Sequence, residues 1–143
     1  MSENVQTIER VLLDTGVYVG VLSGKSMQPT ITERIDTVVV KRKTDKLQLL
    51  DVALFKRDGE YVLHRVVKVL EDGYLMRGDN CYTDEWVEET EVLGVLTEFF
   101  KGEKRILCTD NDYLRLVKRR MRFYPLRRFF VHLKAYIYRI FKK

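Results

Sequence analysis

Asp51-Val52-Ala53-Leu54-Phe55-Lys56-Arg57-Asp58-Gly59-Glu60-Tyr61-Val62-Leu63-His64-Arg65-Val66-Val67 decides the fold. β-branched and aromatic residues dominate on both sides of Asp58-Gly59, a dipeptide of tight hairpin turns, so Asp51 to Lys56 and Glu60 to Leu70 are expected as antiparallel strands. Asp72-Gly73 repeats the signal and adds Gly73 to Arg77, making 51–77 a continuous meander. Working outward, Val17 to Leu22, Thr37 to Lys41, Val92 to Phe100 and Lys104 to Cys108 have the same β texture, with Lys101-Gly102 as a further turn. Many short strands joined by hairpin signals predict a mainly β protein, a coiled antiparallel sheet, sandwich or partly closed barrel, and not a βαβ fold.

Helical periodicity is confined to the two ends. Val5, Ile8, Val11 and Leu12 predict a short amphipathic helix over 4–14, ending near Asp14-Thr15-Gly16 and packing as a lid on the sheet. After Thr109-Asp110, either residue being a suitable N-cap, Leu114, Val117 and Met121 recur at helical spacing. Pro125 breaks that helix and opens another, whose apolar face includes Leu126, Phe129, Phe130, Leu133, Tyr136, Ile137, Ile140 and Phe141. The organisation expected is a β domain with its N-terminal helix over 1–108 and a basic helical extension over 109–143.

The 143 residues are 45% hydrophobic and 33% charged, a globular composition with enough chain for one core. Cys81 and Cys108 form neither a disulfide framework nor a metal motif, and no residue pattern calls for a metal or cofactor. They read as thiols of a reducing compartment. The first ten residues have no apolar run of signal-peptide length, and no window approaches the roughly 18 apolar residues of a membrane span. The expectation is a cytoplasmic protein, with peripheral attachment to a membrane as its route to a lipid surface.

The net charge of +5 is unevenly spread. From Tyr113 to Lys143 there are eleven Lys or Arg and no Asp or Glu, which leaves the other 112 residues with a net charge of −6. A basic tail on an acidic body points to an anionic partner for the tail: an anionic membrane surface, an acidic peptide or protein, or nucleic acid. A solvated basic face on ordinary covering helices is the other use of the same pattern.

Chemistry is suggested by three stretches. Ser23-Gly24-Lys25-Ser26-Met27-Gln28-Pro29-Thr30 places a serine in a Gly/Pro turn at a strand end, where a hydroxyl is exposed among backbone N–H groups, although such dipeptides punctuate ordinary loops as well. A serine needs a base. Of the two histidines, His132 lies in the basic tail, whereas His64 falls among valines on the central strand, as a hydrogen-bonded core residue or a site residue. A histidine base needs a carboxylate at its other nitrogen, and Arg77-Gly78-Asp79-Asn80 offers Asp79, with Asp84 and Glu85 a few residues on.

Taken in order, Gly24 to Thr30, Leu50-Asp51-Val52-Ala53-Leu54-Phe55, His64-Arg65-Val66-Val67 and Gly78-Asp79-Asn80 resemble the motifs of the type I signal peptidases and the related self-cleaving repressors. The resemblance covers roughly 15–100 and implies their β-fold catalytic core. His64 stands where bacterial members have lysine, which is similar to the endoplasmic-reticulum and archaeal signal peptidases. It implies Ser26 as nucleophile, His64 as general base, and Asp79 as orienting acid with Asp84 as the alternative. It further implies an oxyanion turn at Gly24 and Ser26, Met27 and Pro29 shaping the turn and the substrate groove, and small residues near the cleavage site. Leu50 stands where the family has glycine. The expected function is a serine endopeptidase acting on signal-like or leader peptides of a precursor protein. The alternative is a non-catalytic or self-cleaving repressor-like regulator whose basic tail binds nucleic acid or an acidic partner. The absence of the lysine base and of a helix-turn-helix before the sheet disfavours it.

Overall fold

The computed structural model describes residues 7–142. The chain divides at the Thr109–Asp110 junction into two compact units. The first is mainly β and opens with α1 (Ile8–Thr15). Thr7 caps its start by accepting from the Arg10 N–H, and Gly16, at φ +79°, closes its end by donating to the Leu12 carbonyl. The expected helix start at residues 4–6 lies outside the described residues.

Eight strands follow: β1 (Val17–Gly20), β2 (Thr37–Arg42), β3 (Val52–Arg57), β4 (Glu60–Val69), β5 (Gly73–Arg77), β6 (Glu85–Glu88), β7 (Val92–Lys101) and β8 (Lys104–Leu107). β3, β4 and β5 form the meander the two Asp-Gly turns require, with Phe55 opposite Val62 and Ala53 opposite His64. The strand order is β1-β2-β7-β3-β4-β5-β6, with β8 also on β7. β7 is the spine: one side pairs with β2 along its length, and the other pairs first with β3 and then with β8. All pairings are antiparallel, but β1 and β6 remain at opposite edges, so the sheet is open and not a closed barrel. Irregularities at Val39/Val40, Leu54/Phe55 and Val66/Lys68 bend it.

The core gathers Leu47, Ala53, Phe55, Val66, Tyr74, Met76 and Val87. Burial of such apolar surface supplies the dominant favourable term in folding. Tyr74, fully buried, spends its hydroxyl on the Leu47 N–H at 2.9 Å. Its phenol is pushed up to about 12, first by burial and then by the neighbouring Glu89 carboxylate. α1 packs on β1, β2 and β7, and its Glu9 reaches Lys56 and Tyr61, each at 3.1 Å.

The second unit is two helices, α2 (Asn111–Arg122) and α3 (Tyr124–Phe141), hinged at Phe123. Pro125 sits in the first turn of α3, where its missing N–H costs nothing. Arg127 folds back to donate to the Arg120 carbonyl at 2.9 Å.

Candidate active site

The serine turn is seated on the loop that follows β5. Asn80 donates its backbone N–H to the Ser26 carbonyl at 2.8 Å, and its side-chain amide donates to the Lys25 carbonyl at 3.2 Å. Gly78 makes this docking possible: a Cβ there would stand 2.5 Å from the Ser26 carbonyl oxygen and 3.0 Å from Ser26 Cβ. Within the turn Gln28 N–H returns to the Lys25 carbonyl and Ile31 N–H to the Met27 carbonyl, while the Ser26 and Met27 N–H groups take no partner among the described residues. Gly24 adopts φ +108°, a conformation other residues rarely hold, and its N–H is engaged by the Glu33 carboxylate at 2.7 Å. Gly24 therefore sets the turn and contributes no free donor. The Gln28–Pro29 bond is cis.

Met27 is buried at 4% exposure and anchors the turn, whereas Pro29 is exposed. A separate groove of about 460 Å³, lined by Leu12, Arg42, Lys43 and Leu93 among others, contains none of Ser26, His64 or Asp79.

Asp79 does not face His64 Nδ1. Arg65, 1% exposed, holds it in a two-pronged bridge, Nε to Oδ1 and Nη2 to Oδ2, both at 2.8 Å, and Thr30 donates its hydroxyl to the same Oδ2. Arg65 spends a further N–H on the Leu50 carbonyl at 2.9 Å. The arrangement suits a buried guanidinium: each of its three nitrogens donates, and the charge is matched by a carboxylate. Because Thr30 ends the serine turn and Asp79 lies beside Asn80, it fastens the turn to β4 one residue from His64. Asp84 is no nearer to the role, being paired with Arg77 at 3.0 Å.

The carboxylate at His64 is Glu85, on β6. Its Oε1 lies 2.6 Å from His64 Nδ1, a fully enclosed atom, in a contact that is close but not aligned as a hydrogen bond and is an ion pair only when the imidazole is protonated. Its Oε2 lies 3.4 Å from Arg57 Nη1, and Arg57 in turn binds the Trp86 carbonyl and the Glu91 carboxylate. Phe55 packs edge-on against the imidazole, with centroids 5.8 Å apart, and Arg57 stands over the same phenyl ring. His64 is 14% exposed in its side chain. Burial holds its pKa below the ordinary value; Glu85 and Asp79 pull it upward and Arg57 pushes it down, and burial prevails. His64 is accordingly a neutral imidazole near neutrality.

Cys81 lies beside this cluster, its Sγ 4.0 Å from the Ser26 carbonyl. Burial pushes its thiol up, so it stays protonated there, and neither cysteine is in a disulfide. No three metal-ligating side chains converge among the described residues. Ser26 Oγ and His64 share no hydrogen bond among the described residues; what joins them is the Ser26–Asn80 docking and the Thr30–Asp79–Arg65 bridge.

No protein-family model matches the chain, and no curated protein is similar enough to count as a relative. Function therefore has to be argued from the residues. A neutral imidazole with a carboxylate at Nδ1, beside a serine turn with two unengaged N–H groups, has the parts of a nucleophile, base and orienting acid.

Of the three carboxylates the sequence offers after Gly78, the one at His64 is Glu85 and not Asp79 or Asp84, which the motif resemblance favours. Arg65 carried the readable signal: an arginine among valines on a buried strand requires a buried carboxylate, and Asp79 is the one that meets it.

Proposed function

We propose that this chain is a serine endopeptidase that cleaves signal-like or leader peptides, with Ser26 as nucleophile, His64 as general base and Glu85 as the carboxylate that orients it. The observation carrying this reading is the Glu85 contact with the inner nitrogen of a buried, neutral histidine on the strand beside the serine turn. With Nδ1 facing Glu85, Nε2 keeps its lone pair for a hydroxyl. Ser26 Oγ forms its bond to the scissile carbonyl carbon as its proton passes to His64, and the imidazolium returns that proton to the leaving amine as the C–N bond breaks. Water then gives a proton to His64 and adds to the ester, and the departing Ser26 oxygen takes the proton back. The Ser26 and Met27 N–H groups are the donors at hand for the oxyanion.

The test is reaction with a fluorophosphonate probe together with incubation of alanine-rich leader peptides. Wild type is expected to label on Ser26 and to cleave; Ser26→Ala abolishes both, and His64→Ala lowers both by about 10²-fold or more. Cleavage that persists in Ser26→Ala and His64→Ala sinks the reading.

A further inference from the structure

α3 is 18 residues long, about 27 Å at 1.5 Å per residue, and none of its residues is buried. Leu126, Phe129, Phe130, Leu133, Ile137 and Ile140 fall within an arc of about 100° on its surface, at about 100° per residue. All are exposed, Phe129 at 60%, Phe130 at 57% and Ile140 at 51%. Lys134 and Arg127 border one side of this arc, Arg139 and Arg128 lie about 80–100° beyond its other edge on the far face, and there is no acidic residue anywhere from Tyr113 onward. No helix among the described residues is long and apolar enough to cross a membrane.

We propose that α3 lies flat on an anionic lipid surface, its apolar arc among the acyl chains and its flanking Arg and Lys side chains at the phosphates. The chemistry of the helix selects this occupant. With the arc pointing into the bilayer, Lys134 and Arg127 at its border reach headgroup level, Arg128 and Arg139 face the phosphates and water from the opposite side, and aromatic rings favour that boundary. A second copy of the chain would set one basic tail against another and repel it. Nucleic acid would meet the charges but leave six large apolar side chains in water. An anionic bilayer satisfies both halves of the helix at once.

Flotation of the full chain with phosphatidylcholine vesicles, with and without phosphatidylglycerol, tests this. Binding is expected only where phosphatidylglycerol is present, and it weakens as salt is raised. Phe129→Ser with Ile137→Ser, and separately Arg128→Gln with Lys134→Gln and Arg139→Gln, each lower partitioning by about tenfold or more, since both burial and charge contribute. These side chains are exposed, so the thermal melt of both variants stays that of wild type. Ser26→Ala binds vesicles as wild type does, which separates this result from the peptidase reading. No flotation, equal binding to neutral vesicles, or binding that survives both sets of substitutions overturns the proposal. So does a concentration-dependent dimer or a duplex DNA complex formed by a chain that leaves vesicles unbound.

Discussion

Glu85 Oε1 lies 2.6 Å from His64 Nδ1 while the other oxygen of the same carboxylate leans toward Arg57. The two neighbours act on the imidazole with opposite sign, Glu85 stabilising its cation and Arg57 opposing it, with burial outweighing both. In an NMR titration read at the imidazole carbon protons, with His132→Gln used for assignment, His64 is expected to titrate below the ordinary 6.5. Glu85→Gln lowers its pKa further, and Arg57→Gln raises it toward the ordinary value. A His64 midpoint at or above 6.5 in wild type, or shifts of the same sign in both variants, contradicts this arrangement.

The depressed pKa also has a stability consequence. A histidine harder to protonate when folded leaves the unfolded chain taking up the proton first, so νU exceeds νN between the folded pKa and about 6.5. Its contribution is complete above about 6.5 and declines as pH falls from there toward the folded value. Urea unfolding followed through that window should show wild type losing stability faster than His64→Gln; parallel profiles would show that His64 is not buried as described.

Asp79 and Glu85 are expected to fail differently when neutralised. Asp79→Asn leaves the Arg65 guanidinium, 1% exposed, without its charge partner, and breaking such a buried pair costs about 3 kcal/mol or more. Glu85→Gln touches a side chain 31% exposed, so it costs little stability and lowers the fluorophosphonate rate instead. Paired melts and labelling rates for the two variants check this; the reverse pattern, a folded Asp79→Asn that is slow only in labelling, would make Asp79 the orienting acid.

The difference between these carboxylates explains what was legible in the chain. The Asp-Gly turns and the β-branched runs placed seven strands to within a residue or two, because hairpin turn chemistry and alternation are local. β6 was not visible: Glu85-Trp86-Val87-Glu88 is four residues long and half glutamate, and its pairing with β5 supplies what propensity does not. The Gly78-Asp79-Asn80 stretch drew the acid role because glycine freed the backbone there, but the glycine serves the Ser26 approach and the aspartate serves Arg65. Openness of the sheet was equally out of reach, since it depends on whether distant edges meet.

Gly78 is needed for a contact and not for its own backbone freedom. A methyl group there meets the Ser26 carbonyl oxygen at 2.5 Å, backbone that cannot swing aside as a side-chain tip does. Gly78→Ala is expected to displace the serine turn, cutting fluorophosphonate labelling by about tenfold or more, since a misplacement of about 1 Å costs on the order of 10²-fold. Gly102→Ala, where nothing stands within 4 Å but φ is +62°, strains its own turn and leaves labelling intact. Equal labelling of Gly78→Ala and wild type would remove Gly78 from the positioning of Ser26.

Leu50 holds φ +77°, a region disfavoured for a side chain with a Cβ, and the position is held from three directions. Its N–H donates to the Val66 carbonyl at 2.9 Å, its carbonyl accepts from Arg65 Nη1 at 2.9 Å, and Val66 N–H donates to the Asp51 carbonyl at 2.7 Å. The strained residue thus ties the start of β3 to β4 directly behind His64. Leu50→Gly relieves roughly 1–2 kcal/mol of left-handed strain, against about 1 kcal/mol of extra backbone entropy in the unfolded chain and the loss of a half-buried side chain. The net cost should stay within about 1 kcal/mol, far below the 2–5 kcal/mol usual for truncating a buried leucine. Leu50→Val, β-branched and still less tolerant of positive φ, should cost more than Leu50→Gly despite keeping more apolar surface. Urea denaturation of the pair decides it: if glycine proves the worse replacement, side-chain burial and not backbone conformation governs this corner of the site.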